Sequence, residues 1–395
     1  MSEHSNPSKV VVIGGGYAGT LAANRLRART DVNITLVNPR PEFVERIRLH
    51  QLVACTSEAT IDYGTLLGNG IKLVVDSATR IDTASRTVQL ASGHGLEYDY
   101  VIYAVGSIAA PPSVLGAAEF SFDVAELESA QRLRARLEEL PLDAPVTVVG
   151  GGLTGIETAA ELAEQGRRVT VVCGRTLAPT FSPAGRRYIT RWLSRHDVAV
   201  LEAVSVSEVR QDAVILTYGG VRQSALTIWA AGFGVPDLAA ASGLRTDRIG
   251  RLLTDETLTS VDDKRIIAAG DAAAPSGEPL RMSGYAAGPL GAQAADTVLN
   301  RIAGTEPRAI DLAFSGACVS LGRRAGIRQL ARRDDTAVNL YISGRMGAAI
   351  KEMTCRFVVA KRIRGEAREP GSMSWPKGGP RPAGAASDAE EVASP

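Results

Sequence analysis

The chain has 395 residues, of which 45% are hydrophobic and 22% are charged, the composition of two or three ordinary packed domains. Its 44 basic and 43 acidic residues leave a net charge of +1, so the sequence predicts no nucleic-acid partner. Four scattered cysteines predict neither a disulfide framework nor a metal site. Since no secretory signal or stretch of roughly 20 apolar residues is present, a cytoplasmic location is expected.

The first unit along the chain is a strand, a glycine turn, a helix and a second strand. Residues 9–13 have the pattern of a buried strand, GGGYAG follows, and VNITLV is the next strand. In GxGxxG the first glycine makes a tight turn, the second lets a pyrophosphate approach the backbone, and the third lets the helix pack on the strand. These glycines are Gly14, Gly16 and Gly19. The sequence therefore predicts a dinucleotide site.

The same unit recurs in the middle of the chain, with Gly150, Gly152 and Gly155 in the turn. One glycine turn often serves packing alone, but two turns in the same context favour two nucleotide ligands. At the end of the next strand, where an acidic residue usually holds the ribose, the first copy has Asn38 and the second has Arg175. Arg175 either accepts the 2′-phosphate of NADPH or is a solvated loop cation.

The remaining segments follow in order. A charged amphipathic helix ends before Pro141, several short strands follow the second glycine turn, and residues 281–303 have a helical pattern. Residues 313–357 read as strands and then an amphipathic segment. Since residues 366–395 are rich in Pro, Gly and Ser, we expect a disordered tail there.

Five segments in a fixed order resemble the two-dinucleotide-binding flavoproteins of the pyridine nucleotide-disulfide oxidoreductase-like family. They are VVIGGGYAG, YDYVIYAVGS, VVGGGLTGIETAAELAE, LTIWAAGFG and IIAAGDAA. Within the family, the chain is most similar to type II NADH dehydrogenases and apoptosis-inducing-factor-like quinone reductases. The resemblance implies an α/β fold with two Rossmann-like domains for FAD and NAD(P), the second inserted in the first, plus a small C-terminal α+β region. The implied boundaries are 1–112 and 235–310 for FAD, 113–234 for NAD(P)H, 311–365 for the C-terminal region and 366–395 for the tail.

The resemblance also implies the cofactors and their residues, with FAD on the first glycine turn and NADH or NADPH on the second. The implied cofactor-binding residues are Gly14, Gly16, Tyr17, Ala18, Gly19, Asn38, Arg40, Gly106, Gly150, Gly152, Thr154, Gly155, Glu157, Arg175, Gly232, Gly270, Asp271 and Tyr285. Asp271 would bind the ribityl-phosphate region of FAD, although a helix N-cap is an alternative. Glu157 would lie near the nicotinamide, or would simply complement a helix N-terminus.

Other residues bear on the electron acceptor. Cys55 has no second cysteine at the family's CxxxxC spacing, so a dithiol relay is excluded, and Cys55 is expected to be a small buried residue. Pro289 and Leu290 replace the paired glutamines of type II dehydrogenases.

Arg48, His50 and Glu157 are the catalytic candidates; a structural role for His50 is the alternative. Arg46, Arg281 and Met282 would lie near the flavin or the acceptor.

The predicted function is an FAD-dependent NAD(P)H oxidoreductase that passes hydride from NAD(P)H to FAD and then electrons to a quinone-like acceptor. Two alternatives stay open, namely a redox sensor with little turnover and a reductase component for a ferredoxin or monooxygenase. The C-terminal helix, with Met346, Met353 and Phe357 on one face and basic residues nearby, is either docked on the core or an anchor at the inner face of the membrane. A homodimer is also considered.

Overall fold

The computed structural model describes residues 6–110, 112–277 and 280–379. The first part of the chain builds most of one nucleotide-binding unit. Its elements are β1 (Ser8–Ile13), α1 (Tyr17–Leu26), β2 (Val32–Asn38), β3 (Glu42–Val44), α2 (Leu49–Val53), β4 (Thr60–Asp62), β5 (Ile71–Val75), β6 (Ala78–Asp82), β7 (Thr87–Leu90), β8 (Gly95–Glu97), β9 (Tyr100–Tyr103) and β10 (Ile108–Ala109).

The middle of the chain builds a second unit of the same kind. Its elements are α3 (Ala117–Phe120), β11 (Ser121–Asp123), α4 (Leu127–Glu139), β12 (Val146–Val149), α5 (Leu153–Glu164), β13 (Val169–Val172), α6 (Pro183–Arg195), β14 (Ala199–Leu201), β15 (Val206–Val209), β16 (Ala213–Leu216), β17 (Val221–Gln223), β18 (Leu226–Trp229) and β19 (Phe233–Gly234).

The chain then returns to the first unit and ends in a smaller region. The returning elements are α7 (Leu238–Ala241), β20 (Leu252–Thr254), β21 (Ile266–Ala268), β22 (Ala273–Pro275) and α8 (Gly284–Ile302). The smaller region has β23 (Gly316–Leu321), β24 (Ala325–Ala331), β25 (Ala337–Ser343), α9 (Gly344–Phe357), a π-helical segment (Val358–Ile363) and α10 (Arg364–Arg368).

Two five-stranded parallel sheets form the centres of the two units, in the orders β21-β9-β1-β2-β5 and β11-β18-β12-β13-β14. Strands β1 and β12 are rich in valine and buried on both faces, as expected for central strands of parallel sheets covered by helices. Because β21 joins the first sheet only after the second sheet is complete, the second unit is inserted in the first. The predicted α/β fold class is confirmed.

The two segments that connect the units run side by side. β10 pairs antiparallel with β19, so that Ile108 lies opposite Gly234 and Ala109 opposite Phe233. The preceding glycines, Gly106 and Gly232, have φ angles of +72° and +83°, which favour glycine.

The C-terminal region covers the opening between the two units. α9 packs on the antiparallel sheet β23-β24-β25, and the π-helical segment and α10 pack on α1. Among the described residues, no helix combines the length and apolar character that a membrane crossing needs.

The tail differs from the sequence expectation. Glu366 is fully buried and accepts hydrogen bonds from Arg25 (2.8 Å), the Gly371 amide (2.6 Å) and the Met373 amide (2.8 Å). Trp375 donates to the Asp311 carbonyl at 2.8 Å. The prediction of disorder from residue 366 is therefore wrong for residues 366–379, because one buried carboxylate and one tryptophan fix them to the core. Residues 380–395 lie outside the described part of the chain.

Candidate active site

The two glycine turns have the same local geometry. Gly14 and Gly150 have φ angles of +101° and +132°, and a Cβ on either would collide with the backbone of the neighbouring strand end. Beside Gly16 and Gly152, in contrast, nothing lies within 4 Å of the position a Cβ would take. The second glycine of each turn therefore faces open space at the start of a helix, which suits a phosphate group.

The third glycine of each turn serves packing. A Cβ on Gly19 or Gly155 would overlap the carbonyl oxygen of the first glycine of the same turn. Ala18 is a packing residue as well, because the backbone of α8 at Gly291 approaches it closely and Gly270 lies against its side chain. These contacts hold α8 against α1, and they explain why small residues stand at the crossing.

A cavity of about 350 Å³ lies beside the first glycine turn, and we call it the nucleotide cavity. Gly14, Gly16, Asn38, Arg40 and Gly106 are among the residues that line it. The Asn38 side chain accepts a hydrogen bond from the Gly15 amide (2.9 Å) and donates to the Arg40 carbonyl (2.8 Å). Asn38 therefore orders the turn itself, and its contact with a ribose stays a prediction.

A second cavity of about 380 Å³ lies between both units and the C-terminal region, and we call it the central cavity. Tyr17, at the start of α1, lines it together with Gly152 and Thr154, at the start of α5. Arg46 and Ser107 line both cavities, which places the two side by side. The N-termini of two helices that follow glycine turns thus open onto one continuous region.

Beside the central cavity, Asp271 links the two parts of the first unit, which the second unit separates in the sequence. Its carboxylate accepts from the Ser107 hydroxyl (2.8 Å) and from the Ser283 amide (3.1 Å). Arg46 donates to the Ser107 carbonyl at 2.6 Å. The N-cap of α8 is Ser283 rather than Asp271, since the Ser283 hydroxyl accepts from the Ala286 amide. Asp271 therefore lies at the cavity wall and does not cap α8.

Tyr17 shows that the central cavity fits a polar ligand. Its side chain is only 8% exposed and its hydroxyl has no hydrogen-bond partner among the described residues. A buried polar group without a partner is costly, so a bound group that accepts or donates a hydrogen bond would stabilise this arrangement. The open space at Gly16 and Gly152 and the unpaired Tyr17 hydroxyl together fit a flavin nucleotide and a nicotinamide nucleotide. Tyr285 also lines the cavity, but its hydroxyl donates to the Ala313 carbonyl at 3.1 Å.

A buried polar cluster forms one wall of the central cavity. The Glu157 carboxylate lies 2.8 Å from Nζ of Lys351 and accepts from the Ser320 amide at 2.9 Å. His50 lies 3.7 Å from the same carboxylate, and its Nε2 is 3.4 Å from the Ser320 hydroxyl. These four residues come from α5, α9, β23 and α2, so the cluster joins the second unit to the C-terminal region.

Burial and charge act against each other in this cluster. Burial opposes the charged form of Glu157, but Lys351, His50 and the Ser320 amide outweigh it and lower the pKa of the carboxyl. Burial likewise opposes charge on Lys351, and the attraction of Glu157 raises its pKa above the usual value. Burial lowers the pKa of His50 to about 4, with Glu157 acting in the opposite direction. At neutral pH the cluster therefore contains one ion pair and a neutral imidazole.

Some predicted residues are not at the cavities. Arg48 is buried, but its guanidinium pairs with Glu352 at 2.9 Å and does not line the central cavity. Arg175 is exposed after β13 and lines neither cavity. Gly232 lies next to Phe233, which does line the central cavity. The predicted roles of Arg48 and Arg175 stay predictions.

One expectation from the sequence is wrong, and one residue of the site was missed. The expectation that Cys55 is buried is wrong: α2 ends at Val53, and Cys55 follows with a left-handed φ of +56° and an exposed side chain. Lys351 falls among basic residues of an amphipathic segment, yet it is buried against Glu157. The sequence offers one signal for this burial, which is spacing. Lys351 precedes Cys355 by four residues, so both side chains lie on the side of α9 that packs on β24.

Comparison with known proteins now adds to this geometry. The sequence pattern of the family described as pyridine nucleotide-disulphide oxidoreductase matches residues 8–295. The chain belongs to this family. It is 34% identical over 296 residues to an NADH dehydrogenase-like protein of Mycobacterium tuberculosis, which covers 68% of this chain and 73% of that protein. It is 25% identical over 389 residues to the type II NADH:quinone oxidoreductase of Staphylococcus haemolyticus, covering 87% and 93%.

Solved structures confirm the fold of this oxidoreductase. The sulfide:quinone oxidoreductase of Aquifex aeolicus has a TM-score of 0.76 at 20% identity, covering 91% of this chain and 92% of that chain. NDH2 of Plasmodium falciparum in complex with NADH has a TM-score of 0.74 at 16% identity, covering 92% and 97%. The family binds FAD and NAD(P)H, so the predicted cofactors and the prediction of a flavoprotein enzyme are confirmed.

One prediction concerns the glycine turns of this oxidoreductase. Gly16→Val and Gly152→Val each place a side chain in open space at an ordinary φ, so both variants should fold. Since bulk there blocks a phosphate, Gly16→Val should lose FAD, whereas Gly152→Val should keep FAD and lose its reduction by NAD(P)H. Flavin content and anaerobic absorbance measure the two effects. Equal flavin loss in both variants would contradict the assignment of one cofactor to each turn.

A second prediction concerns the buried ion pair. Glu157→Gln or Lys351→Met alone leaves one buried charge without its partner, and should lower the free energy of unfolding by about 3–5 kcal/mol. The double variant should recover much of that loss. Urea unfolding of the FAD-loaded protein measures it, with the exposed pair Lys9–Glu97 as a control that should show little coupling. Additive effects of the two buried substitutions would disprove the coupling.

Proposed function

We propose that the protein is an NAD(P)H:quinone oxidoreductase in which NAD(P)H and one proton reduce a quinone to its hydroquinone and NAD(P)⁺ is released. The observation that supports this most strongly is the convergence of α1 and α5 on one central cavity. A nicotinamide held at the second turn and a flavin held at the first would then share that cavity. The relatives named type II NADH:quinone oxidoreductase support the choice of acceptor.

The chain's own residues would position the reactants. The open faces of Gly16 and Gly152 would receive the phosphates of FAD and NAD(P)H, and Asp271, fixed by Ser107 and Ser283, would meet hydroxyl groups of the flavin side chain. FAD supplies two-electron chemistry when bound. Glu157 and Lys351 would form the polar wall on the nicotinamide side. His50, neutral and held by this cluster, would be a positioning residue.

The cysteines support direct transfer to a small acceptor. All four are free, and only Cys318 and Cys355 line the central cavity among the described residues. Burial raises the pKa of Cys355, so its thiolate is scarce at neutral pH. The apolar side chains of Ile47, Met282 and Val358 also line the cavity and suit a quinone ring. The preference for NADPH that Arg175 suggests, and a homodimer, stay predictions.

The identity of the electron acceptor is tested by measuring flavin reduction and then repeated turnover with different acceptors. The purified protein should be yellow, should bleach with NADH or NADPH without oxygen, and should catalyse many turnovers with a water-soluble quinone. A single stoichiometric reduction would instead support the redox sensor. Stimulation by an iron–sulfur carrier without quinone turnover would support the reductase component, a role named for a neighbour of similar fold from Rhodopseudomonas palustris (TM-score 0.69, 23% identity). A colourless chain that cannot be reconstituted with FAD would contradict all three.

We further propose that the outer face of α9 contacts a membrane surface. On one face of this helix, Gly347 and Cys355 are buried and Lys351 reaches Glu157, which supports docking on the core. On the other face, Met346 and Met353 are 64% and 61% exposed, which supports the proposed membrane contact. Arg345 and Arg356 are exposed on the same helix. Exposed apolar side chains flanked by arginines suit an anionic lipid surface.

Substitution of this face tests the membrane contact. Met346→Asp combined with Met353→Asp should reduce sedimentation of the protein with phosphatidylglycerol-containing vesicles, because charged groups oppose insertion of the face. Leu142→Asp, at an equally exposed position beyond α4, is the matched control and should sediment like the wild type. Identical sedimentation of both variants would contradict the proposal.

A further inference from the structure

Arg328 is a cation of the central cavity that has no carboxylate partner among the described residues. It lies on β24 and lines the cavity together with Cys318 of β23. Its Nη2 donates to the Ser315 carbonyl (2.9 Å) and hydroxyl (2.8 Å), and its Nη1 donates to the Cys318 sulfur (3.5 Å). These contacts use three of the five N–H groups of a guanidinium, and sulfur is a weak acceptor. Arg328 can therefore donate to a further group in the cavity.

The other cations that line the central cavity are already engaged or lie elsewhere in it. Lys351 forms the buried ion pair described above, and Arg281 pairs with Asp335. Arg46 has no ion-pair partner in the described ranges either, but it lies where the central cavity meets the nucleotide cavity, which suits a phosphate of FAD. Arg328 is therefore the cation that remains for a second ligand.

The pairing of β23 with β24 directs the Arg328 side chain toward the cavity. Cys318 lies directly opposite Arg328 in this antiparallel pair, and residues in that relation place their side chains on the same face of a sheet. Ser320, two residues after Cys318, is on that face as well, and its hydroxyl donates to the Glu157 carboxylate at 3.2 Å. The guanidinium and the buried ion pair thus share the face of the sheet that closes the cavity.

Small residues leave room for a ring beside the guanidinium. The residues of β23 that line the cavity are Gly316, Ala317 and Cys318, and none of them has a large side chain. Met282 also lines the cavity and adds apolar surface. A quinone matches this combination, because its ring is apolar and its carbonyl oxygens accept hydrogen bonds.

We propose that Arg328 binds a carbonyl oxygen of the quinone and thereby selects acceptors that carry such an oxygen. This inference rests on the proposed function and extends it by naming the residue that recognises the acceptor. The quinone gains two electrons and two protons; the hydride of NAD(P)H supplies both electrons and one proton, and solvent supplies the second proton. The guanidinium stabilises the negative charge that develops on the quinone oxygen during reduction.

Separate measurement of the two half-reactions tests this role. The variants are Arg328→Met, Arg328→Lys and, as a matched control, Arg332→Met, which changes an exposed arginine just after β24 that lines neither cavity. In Arg328→Met, FAD content and the rate of anaerobic flavin reduction by NADH should stay within about twofold of the wild type. Reoxidation of the reduced protein by a short-chain quinone should slow about tenfold to a hundredfold, as expected for loss of a hydrogen bond from a charged group. Arg332→Met should keep the wild-type rates.

A second acceptor separates recognition of the quinone from general damage to the site. Phenazine methosulfate is a cation without a carbonyl oxygen, so it should reoxidise reduced Arg328→Met at the wild-type rate or faster, because the substitution removes a repelling charge. Arg328→Lys should keep part of the quinone rate, since an ammonium retains the charge without the planar fork of donors. If Arg328→Met does not retain FAD, Arg328→Lys decides: its quinone rate must fall relative to its phenazine rate.

The outcomes distinguish this proposal from the one on which it rests. If the wild type turns over quinone and the variants match its reoxidation rate, or slow equally with both acceptors, the role of Arg328 is overturned and the proposed function stands. If the wild type is reduced by NADH but does not turn over quinone, both are overturned.

Discussion

The close approach of backbone to ligand at two glycine turns is the constraint on which the rest of the structure depends. Gly14 and Gly150 take up backbone angles that other residues rarely adopt, and Gly16 and Gly152 leave the starts of α1 and α5 uncovered. Each turn alone would produce a phosphate site on a separate sheet. Because the second unit is inserted in the first and β10 pairs with β19, both helix starts instead face one cavity.

The C-terminal region completes that cavity through a buried ion pair. Lys351 reaches from α9 to Glu157 on α5, and Ser320 of β23 binds the same carboxylate. Such a pair contributes little net stability once its desolvation is counted, but either charge alone would be costly. The pair therefore acts mainly to fix where α9 sits relative to the second unit. That placement in turn positions Cys355 and Val358 in the cavity wall.

Local sequence patterns were sufficient for the two glycine turns, α8 and the parallel strands, because spacing within a few residues determines them. The burial of Lys351 and Arg362 could not be read in the same way. Both occur in a basic amphipathic segment, and only the packing of α9 and the π-helical segment shows which cations face inward. The order of residues 366–379 depends on a contact between Glu366 and Arg25, which are distant in the sequence. The prediction of disorder rested on amino-acid composition, which carries no information about a contact between distant residues.

Six residues in the described part of the chain have a buried polar side-chain atom without a hydrogen-bond partner, and two of them line the central or the nucleotide cavity. Tyr17 lines the central cavity and Glu126 lines the nucleotide cavity. The other four, Arg167, Thr254, Arg301 and Arg362, line neither cavity, so a missing partner alone does not identify a site. What distinguishes Tyr17 is that its hydroxyl belongs to a residue of the central cavity, where a bound polar group would supply the missing hydrogen bond.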